Sequence, residues 1–358
     1  MAILSYKCPD CGGPLKFSAD TQAFHCEYCR GDFARAEPER TSAGQGRESS
    51  QSEPEPSVPG DAEFAEKARL YSCPSCGAEI ITGETTAAST CCYCHNPVVL
   101  SGRLTDEFRP DKIIPFTISK EKAVEEFKEF CRKRKFLPKE FFSPELIENI
   151  RGVYYPYYLV AARAEGNLRA EGKNVKTWRS GDTEYTETTV YDVKRDGEIF
   201  VDGISLSAIK DYDQKMLKYV CPYNDGGMKD FRMPFLSGFE AEKRDLGRDE
   251  LRGEVSRIVG STSAALLRST IGSYNSVNVK NATHRIVSDR WDYALFPVWV
   301  MNYKFNGGSY IFAMNGQTGK LFGKLPPSKG KLAALFGGVF AAVFALLFAL
   351  FMLGGGPL

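Results

Sequence analysis

Residues 6–29 read YKCPDCGGPLKFSADTQAFHCEYC, and residues 71–94 read YSCPSCGAEIITGETTAASTCCYC. Both begin Tyr-x-Cys-Pro-x-Cys-Gly and both end Cys-x-Tyr-Cys, with fourteen residues between the two cysteine pairs. An offset of 65 carries Cys8, Cys11, Cys26 and Cys29 onto Cys73, Cys76, Cys91 and Cys94, and leaves Cys92 opposite Glu27. Two thiolates three residues apart on a tight turn can point at one ion. A second such turn, brought alongside by a short hairpin, completes a tetrahedral four-cysteine site. The spacing therefore predicts two zinc ribbons, each holding one zinc ion: Cys8, Cys11, Cys26 and Cys29 in the first, Cys73, Cys76, Cys91 and Cys94 in the second. Gly12 and Gly77 follow the first knuckle of each copy, where a positive φ is often needed. Units of roughly thirty residues bury too little core to fold alone. Structural zinc supplies on the order of 10–16 kcal/mol to such units.

A rubredoxin-like iron centre and a redox dithiol are the competing readings of the cysteines. His25 and His95 adjoin ligand cysteines and read as knuckle residues making local hydrogen bonds. Cys92 reads as a bystander, and Cys131 and Cys221 as unmetallated thiols. Nine of the eleven cysteines precede residue 95, and the leading MAILSYKCPDC lacks a basic region followed by an apolar run. The expectation is no secretory signal, and metal ligands in a reducing compartment.

The 358 residues leave room for two or three domains, and the net charge is +1. With 24 Phe, 17 Tyr and 3 Trp a substantial core can form, whereas three histidines restrict histidine-based catalysis. Binding to phosphate backbones requires Lys and Arg that release counterions. Residues 70–102 contain neither, but do contain Glu79 and Glu84. The first ribbon is mixed in charge, and a zinc ion held by four thiolates is itself net negative. Nucleic acid is thus an unfavoured partner, and protein binding or structural spacing is the better reading.

The boundaries follow from composition. Ribbon 1 occupies residues 1–35. Residues 36–62 are rich in Pro, Ser, Gly and Glu and read as a flexible linker, leaving the first ribbon tethered, not docked. Ribbon 2 occupies 63–102, with a short helix expected over 63–70. Residues 103–325 form an α+β middle domain with mostly antiparallel strands. Residues 332–353, LAALFGGVFAAVFALLFALFML, carry no charged or polar side chain. Their helix would span roughly 33 Å, enough for a hydrocarbon core, and a buried core helix of that length is the competing reading. Lys320, Lys324, Lys329 and Lys331 precede the segment and only GGGPL follows it. The positive-inside rule then keeps the large N-terminal part in the cytoplasm. A single-pass, tail-anchored protein of the cytoplasmic membrane is expected.

Within the middle domain, Ser119 and the following KEKAVEEFKEFCRKRK predict a capped helix with Val124, Phe127, Phe130 and Cys131 inward. Ser143-Pro144-Glu145 opens another helix. Strands are predicted at 153–166, 174–180 and 183–193, with Asp196-Gly197 turning a hairpin into 198–203. Residues 240–270 read as helix. Trp299, Met301, Tyr303 and Phe305 share one strand face, and Asn306-Gly307-Gly308 turns the chain into 309–315. Tyr155-Pro156-Tyr157-Tyr158 and Phe296-Pro297-Val298-Trp299 are similar enough to raise an internal duplication. Asn315-Gly316-Gln317-Thr318-Gly319-Lys320 is not a P-loop, because Met314 and Leu321 stand where Gly and Ser/Thr are needed; it reads as a turn. His284 reads as a satisfied histidine, and Asp211 and Asp213 as solvated.

Taken together, the tandem Cys-Pro-x-Cys-Gly ribbons, the aromatic-Pro strand starts, the Phe296–Trp299 segment and the Asn315–Lys320 turn resemble bacterial TFIIB-type zinc-ribbon-containing membrane proteins. That label describes the ribbon and does not imply transcription. The resemblance implies a membrane-tethered adaptor working with SPFH-type or phage-shock-type envelope proteins. The residues favour a scaffold that recruits a protein partner to the cytoplasmic membrane face. A membrane-tethered nucleic-acid binder and an enzyme with a site in the middle domain are the alternatives.

Overall fold

The computed structural model describes residues 3–34, 38–39, 69–72, 79–82, 86–90, 97–100, 108–134, 137–138, 149–210, 212–305, 308–326 and 328–353. The strands, in chain order, are β1 (Ile3–Tyr6), β2 (Leu15–Phe17), β3 (Phe24–Cys26), β4 (Asp32–Phe33), β5 (Pro38–Glu39), β6 (Arg69–Ser72), β7 (Glu79–Thr82), β8 (Thr86–Thr90) and β9 (Pro97–Leu100). They continue with β10 (Lys112–Ile113), β11 (Arg151–Ser180), β12 (Thr183–Ser207), β13 (Lys229–Asp230), β14 (Glu240–Glu242), β15 (Ser276–Phe305), β16 (Gly308–Asn315) and β17 (Leu321–Gly323). Four α-helices accompany them among the described residues: α1 (Lys120–Arg132), α2 (Gln214–Val220), α3 (Arg248–Ser269) and α4 (Lys329–Leu353). The chain is α+β and mostly sheet, as composition and patterning predict.

Strands β11 and β15 pair antiparallel from Arg151 opposite Val300 to Lys173 opposite Ser276, with Tyr155 opposite Phe296 and Tyr154 opposite Pro297. The two aromatic-proline segments therefore meet at the centre of the sheet. Each proline sits where its strand changes its outer neighbour. β11 pairs with parallel β14 at Val153 and Tyr154 and with antiparallel β12 from Tyr157 onward. β15 pairs with parallel β10 at Ala294 and Leu295 and with antiparallel β16 from Val298 onward. Pro156 and Pro297 fall in the two gaps, where a missing N–H costs no ladder bond. Their carbonyls accept from Ala208 N (2.9 Å) and Gly316 N (2.8 Å), so the arrangement occurs twice.

The alternation of side chains distributes this centre between two cores. Tyr154, Trp299, Met301 and Phe312 join the cluster beneath α1, together with Phe116 and Phe127. Tyr155, Tyr157, Phe296 and Val298 join the opposite cluster, against Met216, Leu217 and Val220 of α2. Helix α1 buries Ala123, Phe127 and Cys131, with Val124 and Phe130 partly covered, close to the predicted stripe. Ser119 occupies its N-cap but makes no side-chain capping bond. Asp213 is more than a solvated acid: it caps α2 by accepting from Lys215 N and Met216 N, and it pairs with Lys324 at 3.2 Å.

Beyond the base, β12, β11 and β15 continue as a ribbon. At about 3.3 Å per residue, thirty residues reach roughly 100 Å. Its lower half carries Val160, Ala162, Ala164, Leu168 and Ala170 on one face, covered by Val255, Val259 and Leu267 of α3. The other face is charged, with Arg285–Glu165 at 2.8 Å and Lys280–Glu171 at 3.2 Å crossing between strands.

Three sequence expectations need correction here. Asp196-Gly197 does not turn a hairpin; both residues lie within β12, opposite Asn167 and Gly166. The turn is Gly181-Asp182, with Gly181 at φ 61° and Ser180 paired to Thr183. Residues 240–242 are strand, and the helix begins at Arg248. The first ribbon is docked, as described below. The linker over 36–62 (apart from β5), most of the expected 63–70 helix, the helix opened by Ser143, and Asp211 lie outside the described residues, though 69–70 belong to β6.

The Asn315–Lys320 turn locks the base. Asn315 is fully buried; its Oδ1 accepts from Gln317 N and Thr318 N, and its Nδ2 donates to Val220 O at 2.8 Å. A Cβ at Gly316 would lie 2.5 Å from Phe116 Cδ1 and 2.9 Å from Pro297 Cβ. The Phe116 ring is stacked on Phe239 at 4.3 Å and cannot withdraw. Gly316→Ala should therefore destabilise the protein by about 1–3 kcal/mol in chemical unfolding, as overpacking of a rigid core does.

Candidate metal centre

Two short turns build the centre. In the first, Cys8 N donates to Gly13 O at 2.7 Å and Gly12 N to Cys8 O at 2.9 Å. The second repeats the pattern, with Cys26 N to Gly31 O at 3.0 Å and Arg30 N to Cys26 O at 2.8 Å. The residue after each turn's second cysteine is left-handed: Gly12 at φ 72° and Arg30 at φ 60°. Glycine was expected at the first position. The second carries a side chain in a conformation that costs about 1–2 kcal/mol.

The β2–β3 hairpin, with Leu15 opposite Cys26 and Phe17 opposite Phe24, brings the turns together. Cys8 Sγ lies 3.5 Å from Cys29 Sγ, Cys11 Sγ lies 3.5 Å from Cys26 Sγ, and all four sulfurs fall within 4.8 Å of one another. Sulfurs at the corners of a tetrahedron with metal–sulfur bonds of ~2.3 Å are about 3.8 Å apart. The observed spacings bracket that value, so the four thiols lie close enough to hold one metal ion. Cys8 and Cys26 are buried; Cys11 and Cys29 face solvent. Main-chain N–H groups of Cys29 and then Tyr28 draw the Cys26 thiol down to about 7, against the opposing effect of burial. Donors that favour a thiolate also favour a cation bound to it. His25 is no ligand: its Nδ1 lies 2.9 Å from Asp32 Oδ1, a local contact of the kind the sequence predicts.

The second cysteine set, Cys73, Cys76, Cys91 and Cys94, lies outside the described residues, as do Cys92, Gly77 and His95. The strands around it repeat the first unit's register. Lys7 pairs with Pro14, and 65 residues later Ser72 pairs with Glu79. His25 pairs with Asp32 and Phe24 with Phe33; correspondingly Thr90 pairs with Pro97 and Ser89 with Val98. The two outer pairings thus recur at the same offset, whereas β7 and β8, which correspond to the β2–β3 hairpin, lie in different sheets.

The first unit is built into the body of the protein. Leu15, Phe17 and Phe24 share one buried cluster with Phe116, Leu236, Phe239 and Trp299. Phe17 meets Phe235 edge-on at 5.2 Å, and Phe17 N donates to Ser237 O at 2.9 Å. Gln22, held at φ 54°, donates through Nε2 to Ala19 O (2.8 Å) and Phe116 O (2.7 Å). Strand β1 pairs with β9, which reaches β14 of the central sheet through β8. A polar linker governs only its own order, so it did not reveal that the body it leads from has a complementary surface. The one available signal was the run of apolar residues Leu15, Phe17 and Phe24 in a unit whose cysteines already account for its stability.

The remaining sequence candidates fall elsewhere. Cys131 is buried under α1 and Cys221 is half-buried; both are free thiols pushed up by burial, to about 12 and about 11. His284 lies 3.0 Å from Ser256 Oγ, a satisfied histidine. A cleft of about 590 Å³ runs between the first cysteine unit and the sheet, where Arg151 and Glu240 pair at 3.1 Å.

The chain is 34% identical over 357 residues to the uncharacterized protein YdjG of Bacillus subtilis (strain 168), covering 99% of each chain. It belongs to the family of that protein. No family model and no solved structure matches it.

Two outcomes follow. Cys26→Ser, or chelation of the bound metal, should unpin the two turns and expose Leu15, Phe17 and Phe24. A rise in binding of a hydrophobic dye and faster proteolysis within residues 1–34 would record it; unchanged protection would show that docking does not need the metal. Arg30→Gly should stabilise the metal-loaded protein by roughly 1 kcal/mol by relieving the left-handed strain.

Proposed function

We propose that this member of the YdjG family is a membrane-anchored zinc-ribbon scaffold that presents a protein-binding hairpin at the cytoplasmic face of the membrane. Two zinc ions, one per four-cysteine set, fit the donor chemistry. All-thiolate tetrahedral sites suit zinc, and the strands flanking the second set repeat the two outer pairings of the first unit. Each ion would pin two turns and do no redox chemistry.

The anchor is α4. Its segment Gly330–Leu350 has mean hydropathy 2.5, and none of it is buried against the rest of the protein. Phe336, Phe340, Leu347 and Leu350 are exposed on a helix apolar on every side, which a buried core helix would not be. Lys324 precedes it and Lys329 and Lys331 lie in its first turn, and the positive-inside rule favours a cytoplasmic body.

The observation that carries the scaffold reading is the tip of the β11–β12 hairpin. β15 pairs with β11 only as far as Lys173, so Asn174–Ser180 and their partners project as a two-stranded arm of about 25 Å. Trp178 stacks on Tyr185 across the arm at 5.7 Å, yet both rings are close to half exposed. Tyr191 is exposed on the same face, whereas Val175 and Val190 are exposed on the opposite one. A two-stranded arm gains little stability from exposed aromatics, whereas a binding partner gains much from a rigid aromatic anchor. The SPFH-type and phage-shock-type envelope proteins implied by the family resemblance are the first partners to test.

A photo-crosslinker introduced at Lys176, on the face of Trp178, should capture one membrane-associated protein from intact cells, and Trp178→Ser/Tyr185→Ser should abolish that adduct while leaving metal content and thermal stability unchanged. The body should also remain in the membrane pellet after alkaline extraction unless residues 329–353 are deleted. An adduct insensitive to the double substitution would sink the assignment of the tip.

A further inference from the structure

A cavity of about 450 Å³ lies where the long ribbon leaves the base, on the side of α3. Tyr158 of β11 and Tyr293 of β15 form its floor. Arg109 and Asp111 approach from the segment before β10. Arg244 comes from the segment after β14, and Arg248 from the first turn of α3. Three guanidinium groups thus converge on one hollow.

The two carboxylates that line the hollow are engaged elsewhere. Asp111 Oδ2 accepts from Tyr293 N at 2.9 Å, and Asp249 is paired outward with Arg252 at 3.0 Å. Among the described residues, neither Arg109 nor Arg248 forms an ion pair with a carboxylate. Arg244 is held by ring faces: its guanidinium lies 5.1 Å from the Phe108 centroid, 5.9 Å from Tyr158 and 5.8 Å from Tyr293. Such stacking fixes the plane of the fork at the wall of the cavity.

The two phenols add donors. Tyr293 OH accepts from Arg244 N at 3.3 Å, so its own hydrogen is free to be given elsewhere. Tyr158 lines the same hollow as Arg248. The hollow is therefore rich in fixed donors that require a multiply accepting anion, and planar guanidinium forks match tetrahedral oxyanions in bidentate fashion.

We propose that this cavity binds a phosphate group, carried either by a small soluble phosphoester or by a phospholipid headgroup. Arg109 and Arg248 supply the direct charge, Arg244 is oriented by the rings beneath it, and Tyr158 and Tyr293 donate from the floor. The site is independent of the metal centre and of the hairpin tip.

The test uses the full chain in an uncharged detergent, titrated calorimetrically with inorganic phosphate at fixed ionic strength. One saturable site per chain is expected, with a dissociation constant of about 1 mM or tighter. Arg109→Ala and Arg248→Ala should each weaken it about tenfold or more, whereas Arg252→Ala and Arg257→Ala, further along α3, should not. Tyr158→Phe keeps the ring edge-on to Trp291 at 5.4 Å and should weaken binding with no change in melting temperature, which separates loss of a donor from loss of the fold. Short-chain phosphatidic acid in the same micelles distinguishes the sources. If it competes with phosphate while phosphatidylcholine does not, the headgroup is the ligand; if it does not compete, a soluble phosphoester is. The proposal is overturned if neither phosphate nor phosphatidic acid binds, or if the arginine variants bind as the parent does.

Discussion

Everything in this protein hangs on the antiparallel contact between residues 151–160 and 291–300. Those segments are buried on both faces, so one ladder feeds two cores at once: Tyr154 and Trp299 toward α1 and the cysteine unit, Tyr155, Tyr157 and Phe296 toward α2. Paired aromatics across a ladder contribute both area and edge or stacking geometry, as Tyr157 against Phe296 at 4.6 Å does here. The prolines let this central pair exchange neighbours without orphaning a donor. Short parallel strands on one side of each proline and long antiparallel ones on the other give the base its twofold repetition.

From that base the sheet serves two purposes. One end supports the cysteine unit, whose apolar residues enter the same cluster as Phe116, Phe239 and Trp299. A small ribbon that cannot bury a sufficient core by itself thus borrows one, and in return closes the edge of the larger core. Metal occupancy and packing of the base become linked by mass action, because an ion that binds only the folded turns stabilises all that packs on them. The other end extends past its covering helix, and the burial of successive residues falls away toward the tip. Rigidity is supplied at the base and exposed surface at the far end.

The middle of the long ribbon shows why element existence was easier to read than element length. Alternation over 153–166 announced a strand. The glycines at 166 and 197 then looked like punctuation, although they are opposite one another beneath α3. A Cβ at Gly166 would come within 2.6 Å of Ile199 Cδ1 and 2.9 Å of Leu267 Cδ1, so these glycines permit the approach of a helix and do not end a strand. A turn and a close contact call for the same residue, and only the neighbour tells them apart. Asn315 illustrates the same limit for polar groups. Its turn was legible, but its two bonds into the end of α2 were not, because their acceptors lie about ninety residues away in the chain.

What the chain alone determined was local or repetitive. The cysteine spacing, the apolar final helix and the amphipathic α1 each depend on residues a few positions apart, where bond geometry and periodicity act directly, and the 65-residue offset is a repeat visible by inspection. What only the tertiary structure decided was juxtaposition. The docking of the first cysteine unit, the meeting of the two aromatic-proline segments, the convergence of Arg109, Arg244 and Arg248, and the exposure of Trp178 and Tyr185 all join residues whose separation in the sequence carries no signal. Their energies arise from desolvation and contact between surfaces, and a surface does not exist until the chain has folded.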